Sequence, residues 1–98
     1  MFSYKIWNEK KEILLAVSDI SIVGKTFEEG EMILNIDKNF YFENICDESE
    51  IRKIVKKATI INAVGKKIIN LLLEEDIINK ENVLTIGGVP HAQFVSMQ

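Results

Sequence analysis

The residue best suited to proton transfer in this 98-residue chain is its one histidine, His91. An imidazole changes charge near neutral pH and so serves as general acid or base. His91 lies in the tract Gly87-Gly88-Val89-Pro90-His91-Ala92-Gln93. No Ser-His-Asp or Cys-His arrangement is recognisable by spacing, so the default expectation for His91 is a hydrogen-bonded strand residue. Cys46 is the one thiol. It precedes an acidic helix start, where the dipole favours thiolate but Asp47 and Glu48 oppose it. A buried structural thiol is the expectation. Gly24-Lys25-Thr26 resembles the end of a phosphate-binding loop, but Asp19 stands where that motif requires its first glycine. A turn with a surface lysine is expected there. Glu28, Glu29 and Glu31 flank Gly30 without the spacing of a calcium loop, so a solvated turn is expected. No metal or cofactor is anticipated.

Charge distribution carries more. The formal net charge is -3, with 12 Lys and Arg against 15 Asp and Glu. Six of the cations are Arg52, Lys53, Lys56, Lys57, Lys66 and Lys67, and no acid interrupts them. The first four recur at helical spacing opposite Ile51, Ile54, Val55 and Ala58. Lys66 and Lys67 extend the stripe if two helices pack side by side. Such a stripe on an acidic chain suits phosphates or an acidic partner, with a solvated helix face as the alternative.

The elements that must position these groups follow from periodicity. Alternation over Phe2–Trp7 and Ile13–Val17 predicts a hairpin within residues 2–18. Met32–Ile36 reads as a third strand, and Phe40-Tyr41-Phe42 as an aromatic loop packed on the sheet. Asp47 with Glu50 forms a capping-box start for a helix over residues 48–58. Thr59 to Glu75 reads as further helix, with Ile60, Ile61, Val64, Ile68, Leu71 and Leu72 as its apolar face. Gly65 inside it costs about 1 kcal/mol and calls for a reason such as close packing. Glu74-Glu75-Asp76 opposes the dipole, so fraying is expected there. Val83–Ile86, a Gly87-Gly88 turn and Val89–Met97 close the chain as two strands. Pro90 belongs at a strand start or edge. The fold class expected is α+β: a mostly antiparallel sheet of about five strands with two helices on one face.

Length fixes one domain, residues 1–98, and excludes a TIM barrel. Hydrophobic residues make up 47% and charged residues 28%, which argues for a folded core. A single cysteine fits a reducing compartment. The N-terminus reads as a strand instead of a signal peptide, and no apolar run approaches the ~20 residues of a membrane span. A cytoplasmic protein without membrane contact is expected.

Three tracts, Gly24–Gly30, Ala58–Gly65 and Gly88–Gln93, together resemble the small archaeal domain-of-unknown-function family 424 across nearly the whole chain. The family pattern has a glycine soon after Tyr41, where Phe42-Glu43 stand. The resemblance implies an archaeal cytoplasmic protein, a compact α/β domain, no established activity and an association with translation genes. Polar residues of the shared tracts, Lys25, Thr59, Asn62, His91 and Gln93, would line a pocket if the tracts converge. The functional expectation is a non-enzymatic module that binds RNA or a ribosome-associated protein through the Arg52–Lys67 face. The alternative is a small-molecule-binding protein or minor enzyme with its pocket around His91. A third reading is a homodimer or adaptor using an apolar helix face.

Overall fold

A computed structural model describes residues 1–96. The chain opens with β1 (Phe2–Glu9) and β2 (Glu12–Asp19), the expected hairpin, turned at Lys10 with φ 54°. A second hairpin follows, β3 (Thr26–Glu29) and β4 (Met32–Asn35), turned at Gly30 with φ 62°. Then come a one-turn helix α1 (Lys38–Tyr41), a short strand β5 (Asn44–Cys46) and helix α2 (Glu48–Val55). The chain continues with β6 (Ile60–Val64), α3 (Lys66–Glu74) and the closing hairpin β7 (Val83–Ile86) and β8 (Val89–Val95). The expected final strand ran to Met97, which lies outside the described residues.

Six strands form one sheet in the order β5-β1-β2-β6-β8-β7, and β3-β4 form a separate pair. In the large sheet β1–β2, β1–β5, β6–β8 and β7–β8 are antiparallel, while β2–β6 is parallel. The α+β class therefore holds, with α2 and α3 on one face, the one-turn α1 on the other, and more strands than expected. The main correction is residues 60–64. They form the central strand β6 instead of the first turns of a long helix. Three of the five are β-branched, which favours a pleated, packed strand. A short apolar run does not distinguish strand from buried helix by periodicity. The strands Thr26–Glu29 and Asn44–Cys46 are likewise additions, and α2 ends at Val55, three residues short of expectation.

Two cores lie on opposite faces. Alternation along the strands sends Leu15, Val17, Ile61, Ala63 and Ala92 to one face. There Ile51 and Val55 of α2 and Ile68, Leu71 and Leu72 of α3 pack against them. On the other face Ala16, Val64, Ile86 and Val89 meet Leu34, Ile36 and Tyr41 from the β4–α1 region. The aromatic tract thus packs on the sheet from a helical turn, with Phe40 stacked on Trp7 at 5.8 Å between ring centroids. Asp47 caps α2 as its spacing indicates, accepting from the Glu50 N–H at 2.9 Å. Pro90 is the second residue of β8, near its start, as its missing N–H requires. Among the described residues no helix is long and apolar enough to cross a membrane.

Candidate functional site

β2 and β6 run parallel, so their carboxyl ends emerge on the same edge of the sheet, with Ser18 beside Val64. β2 ends at Asp19, and β6 passes through Gly65 directly into α3. Gly65 is the N-cap of α3 and has no side chain to satisfy the first helical amides. Asp19 does this from across the sheet. Its Oδ2 accepts from the Lys67 N–H and its Oδ1 from the Ile68 N–H, both at 2.9 Å. The carboxylate is buried and sits at the positive end of the helix dipole. A Cβ on Gly65 would stand 2.4 Å from Asp19 Cγ, and its φ of 120° is one that side chains rarely adopt. Gly65 is there to let the carboxylate in.

Outside this junction is a cleft of about 520 Å³ lined by Asp19, Ser21, Ile22, Lys25, Phe27, Gly65, Lys66, Lys67, Gly87, Gly88 and Val89. It lies beyond the carboxyl ends of the parallel pair, the edge at which open sheets commonly receive ligands. The β3–β4 hairpin closes one side. Its Glu29 Oε1 accepts from the Gly87 N–H at 2.9 Å, and a Cβ at Gly87 would be 3.0 Å from the Glu28 carbonyl. Lys25 and Phe27, Gly65, and Gly88 with Val89 come from the three separate tracts singled out in the sequence, and all border this cleft.

Its charge is positive. Lys25, Lys66 and Lys67 are exposed, and among the described residues none is within ion-pair distance of a carboxylate. Asp19 is the one acid in the lining, and two helix amides hold it. Phosphates arriving here would meet lysine ammonium groups instead of the helix amides, because Asp19 already occupies those.

The remaining cations are differently placed. Arg52 pairs with Glu48 at 3.0 Å, Glu74 at 2.8 Å and Glu75 at 2.7 Å, and Lys56 with Glu75 at 3.3 Å. Donating to the Glu74, Glu75 and Glu48 carboxylates pushes the Arg52 guanidinium further above its ordinary pKa. The Glu75 carboxyl is held below its usual range, first by Arg52 and then by Lys56. The acids expected to fray the end of α3 instead tie it to α2. Lys53 and Lys57 stay exposed. The expected single stripe is therefore divided. Strand β6 separates Lys57 from Lys66 by five extended residues, about 17 Å of rise. That exceeds the ~8 Å screening length at physiological salt, so the two groups do not act as one field.

Of the five residues of the expected pocket, Asn62, Gln93 and His91 share one face of the β6–β8 pair, while Lys25 and Thr59 lie apart from them. Lys25 borders the cleft. Thr59 lies at the other end of β6, where its hydroxyl accepts from the Ile13 N–H at 2.8 Å and donates to Glu12 Oε2 at 2.6 Å. Asn62 and Gln93 stand directly opposite each other on β6 and β8, and His91 stands opposite Val64 and Leu84. Burial lowers the His91 pKa, so the imidazole is neutral at pH 7.

Cys46 is buried, and desolvation with Glu50 and Asp47 pushes its thiol up to about 11, as expected of a structural cysteine. Gly24-Lys25-Thr26 leads into strand β3 and not a helix, so it forms no phosphate loop. Among the described residues no group of three metal-ligating side chains converges, Glu28, Glu29 and Glu31 included. Asp19 is the residue of this candidate site that sequence reasoning missed. The available signal was Gly65 opening a helix with no side-chain cap of its own, which requires a cap from elsewhere.

Residues 7–97 match the family described as Protein of unknown function (DUF424), and the chain belongs to that family. A crystal structure of an uncharacterized conserved protein from Methanopyrus kandleri is similar in fold. The TM-score is 0.76 at 20% identity, covering 99% of this chain and 94% of that one. Comparison with curated proteins gives no match.

Proposed function

We propose that this DUF424 member is a non-enzymatic binding module for phosphate-bearing ligands, with single-stranded RNA as the ligand its cleft fits best. The observation that carries this reading is the convergence of Lys25, Lys66 and Lys67, free of ion pairs among the described residues, around one cleft. Phosphate neutralisation by lysines supplies sequence-independent affinity. Half-buried Phe27 in the same lining offers an aromatic surface, the companion of cations in single-strand grooves. The chain's only thiol and imidazole, Cys46 and His91, lie outside that lining, so the reading is one of binding and not of turnover. Arg52 and Lys56 support it less, because glutamates already hold them.

Fluorescence anisotropy of a labelled single-stranded oligoribonucleotide across a salt series tests the proposal. Three lysine contacts give a slope of about -2 in log affinity against log salt. Lys66→Glu with Lys67→Glu should abolish most binding, while Lys53→Glu with Lys57→Glu should leave it nearly unchanged. No binding at low salt, or equal losses in both variants, overturns the assignment. The cleft's volume also falls in the range of small-ligand pockets, so a free nucleotide is the second reading. Competition by mononucleotide at concentrations near that of the oligonucleotide would favour it.

A further inference from the structure

The sheet face that carries β3, β4 and α1 is only partly covered by them. Side chains two apart on a strand share a face, so Ile60, Asn62 and Val64 of β6 lie together with His91, Gln93 and Val95 of β8. In the ladder Asn62 opposes Gln93, Ile60 opposes Val95, and His91 opposes Val64 on one side and Leu84 on the other. Val64 is buried beneath the second core, but Gln93 is exposed, and Val95 and Leu84 are exposed by 57% and 49%. Directly opposed side chains stand about 5 Å apart, so both amides can reach a single planar group.

Among the described residues, the amides of Asn62 and Gln93 and the imidazole of His91 make no hydrogen bond to protein. Amides carry both donors and acceptors, and neutral imidazole carries one of each. Apolar Ile60, Val95 and Leu84 flank them. Unpartnered hydrogen-bonding edges beside exposed apolar surface suit a flat ligand with polar edges and an apolar face. A nucleobase is such a ligand, and unpaired bases are how sequence in RNA is read. Trp7 is not the stacking platform, because Phe40 lies on its ring and the Lys5 ammonium sits 4.1 Å from its centroid.

We propose that Asn62, Gln93 and His91 form a base-reading site on the open sheet face, which takes one unpaired nucleobase of the RNA held at the lysine cleft. This rests on the RNA reading above but uses none of the cleft's residues. From Gly65 to Asn62 is three residues along β6, about 10 Å, and a strand anchored by its phosphates reaches Asn62 by passing around the second core that covers Val64. The cleft supplies affinity without base preference. The two amides supply preference with little affinity of their own.

Anisotropy with four labelled homo-oligoribonucleotides of equal length tests this on the full chain. Wild type should prefer one base by about tenfold, the discrimination expected of one well-placed amide contact to a base edge. Asn62→Ala with Gln93→Ala should level the four affinities and leave the salt slope unchanged. Gln93→Ala alone, at an exposed position, should lose part of the preference and guards against a folding defect. Equal affinities for all four in wild type, or an unchanged preference in the variants, overturns the base-reading site and leaves the cleft reading standing. Absence of binding to any of the four at low salt overturns both.

Discussion

The two ends of β6 carry the same kind of sequence and do different things. Lysines follow it at 66 and 67 and precede it at 56 and 57. At the leading end, Lys56 pairs with Glu75, and Thr59 satisfies both Ile13 and Glu12. Lys56 and Thr59 thus have protein partners, and only Lys57 is exposed without an ion pair among the described residues. At the trailing end the arrangement is reversed. The backbone is satisfied by one buried carboxylate, Asp19, and the lysines have no carboxylate within ion-pair distance among the described residues. Local charge is thus set by where acids fold to, and not by how many cations stand together in sequence. One end is held together by charge, and the other leaves its lysines without ion pairs among the described residues.

The sharpest way to break this contrast is at Gly65. Gly65→Ala forces a Cβ into the Asp19 carboxylate and strains a backbone at φ 120°. Backbone strain together with a displaced helix cap should cost about 3 kcal/mol. At the opposite end Thr59→Val keeps the shape and removes one hydroxyl, for about 1 kcal/mol. Urea unfolding of both variants measures the difference. Equal losses would mean that Asp19 is an ordinary cap and that the trailing end is built no more tightly than the leading one.

How much of this was legible in sequence depends on how local the cause was. The hairpin of β1 and β2, the Asp47 cap and the Gly87-Gly88 turn all follow from neighbours within four residues, and all are found. Strand β6 was not legible. Ile60, Ile61 and Val64 satisfy a helical face as readily as a strand, and only pairing with β2 and β8 decides between them. That one ambiguity propagated: as helix, residues 60–64 would have joined Lys66 and Lys67 to the α2 stripe. The cleft was partly legible, since the three tracts that border it stood out. Asp19 did not, because its partners are 48 and 49 residues away. Gly65 held the clue, as a helix-opening glycine with no cap of its own.

A smaller effect separates the two ends by pH. Burial holds the His91 pKa in the folded chain below its ordinary value of 6.5. In the window between the folded value and about 6.5, the unfolded chain binds more protons, so stability rises with pH. The His91 contribution is complete above about pH 6.5. It is lost as the pH falls through that window to the folded value, and it is constant below. Thermal melts of wild type and His91→Gln between pH 7 and 5 measure it. The variant should lack the part of the slope due to this group, while Thr59→Val should keep it. An identical slope in His91→Gln would place the imidazole in contact with water instead of against Val64 and Leu84.

The smallest effect concerns Arg52, and its salt dependence decides what the leading end is for. Arg52 spans α2 and α3 through Glu48, Glu74 and Glu75, of which Glu48 and Glu74 are exposed while Arg52 and Glu75 are half-buried. Exposed pairs are weak and are screened, and the screening length falls to about 3 Å at 1 M salt. Arg52→Gln should therefore lower the melting temperature slightly in dilute buffer and not measurably at high salt. It should leave oligoribonucleotide affinity unchanged, because its charge is already spent on glutamates. If Arg52→Gln instead weakened RNA binding and left the melting temperature alone, the glutamates would be the displaceable partners. Both ends of β6 would then bind phosphate, and the contrast between them would fail.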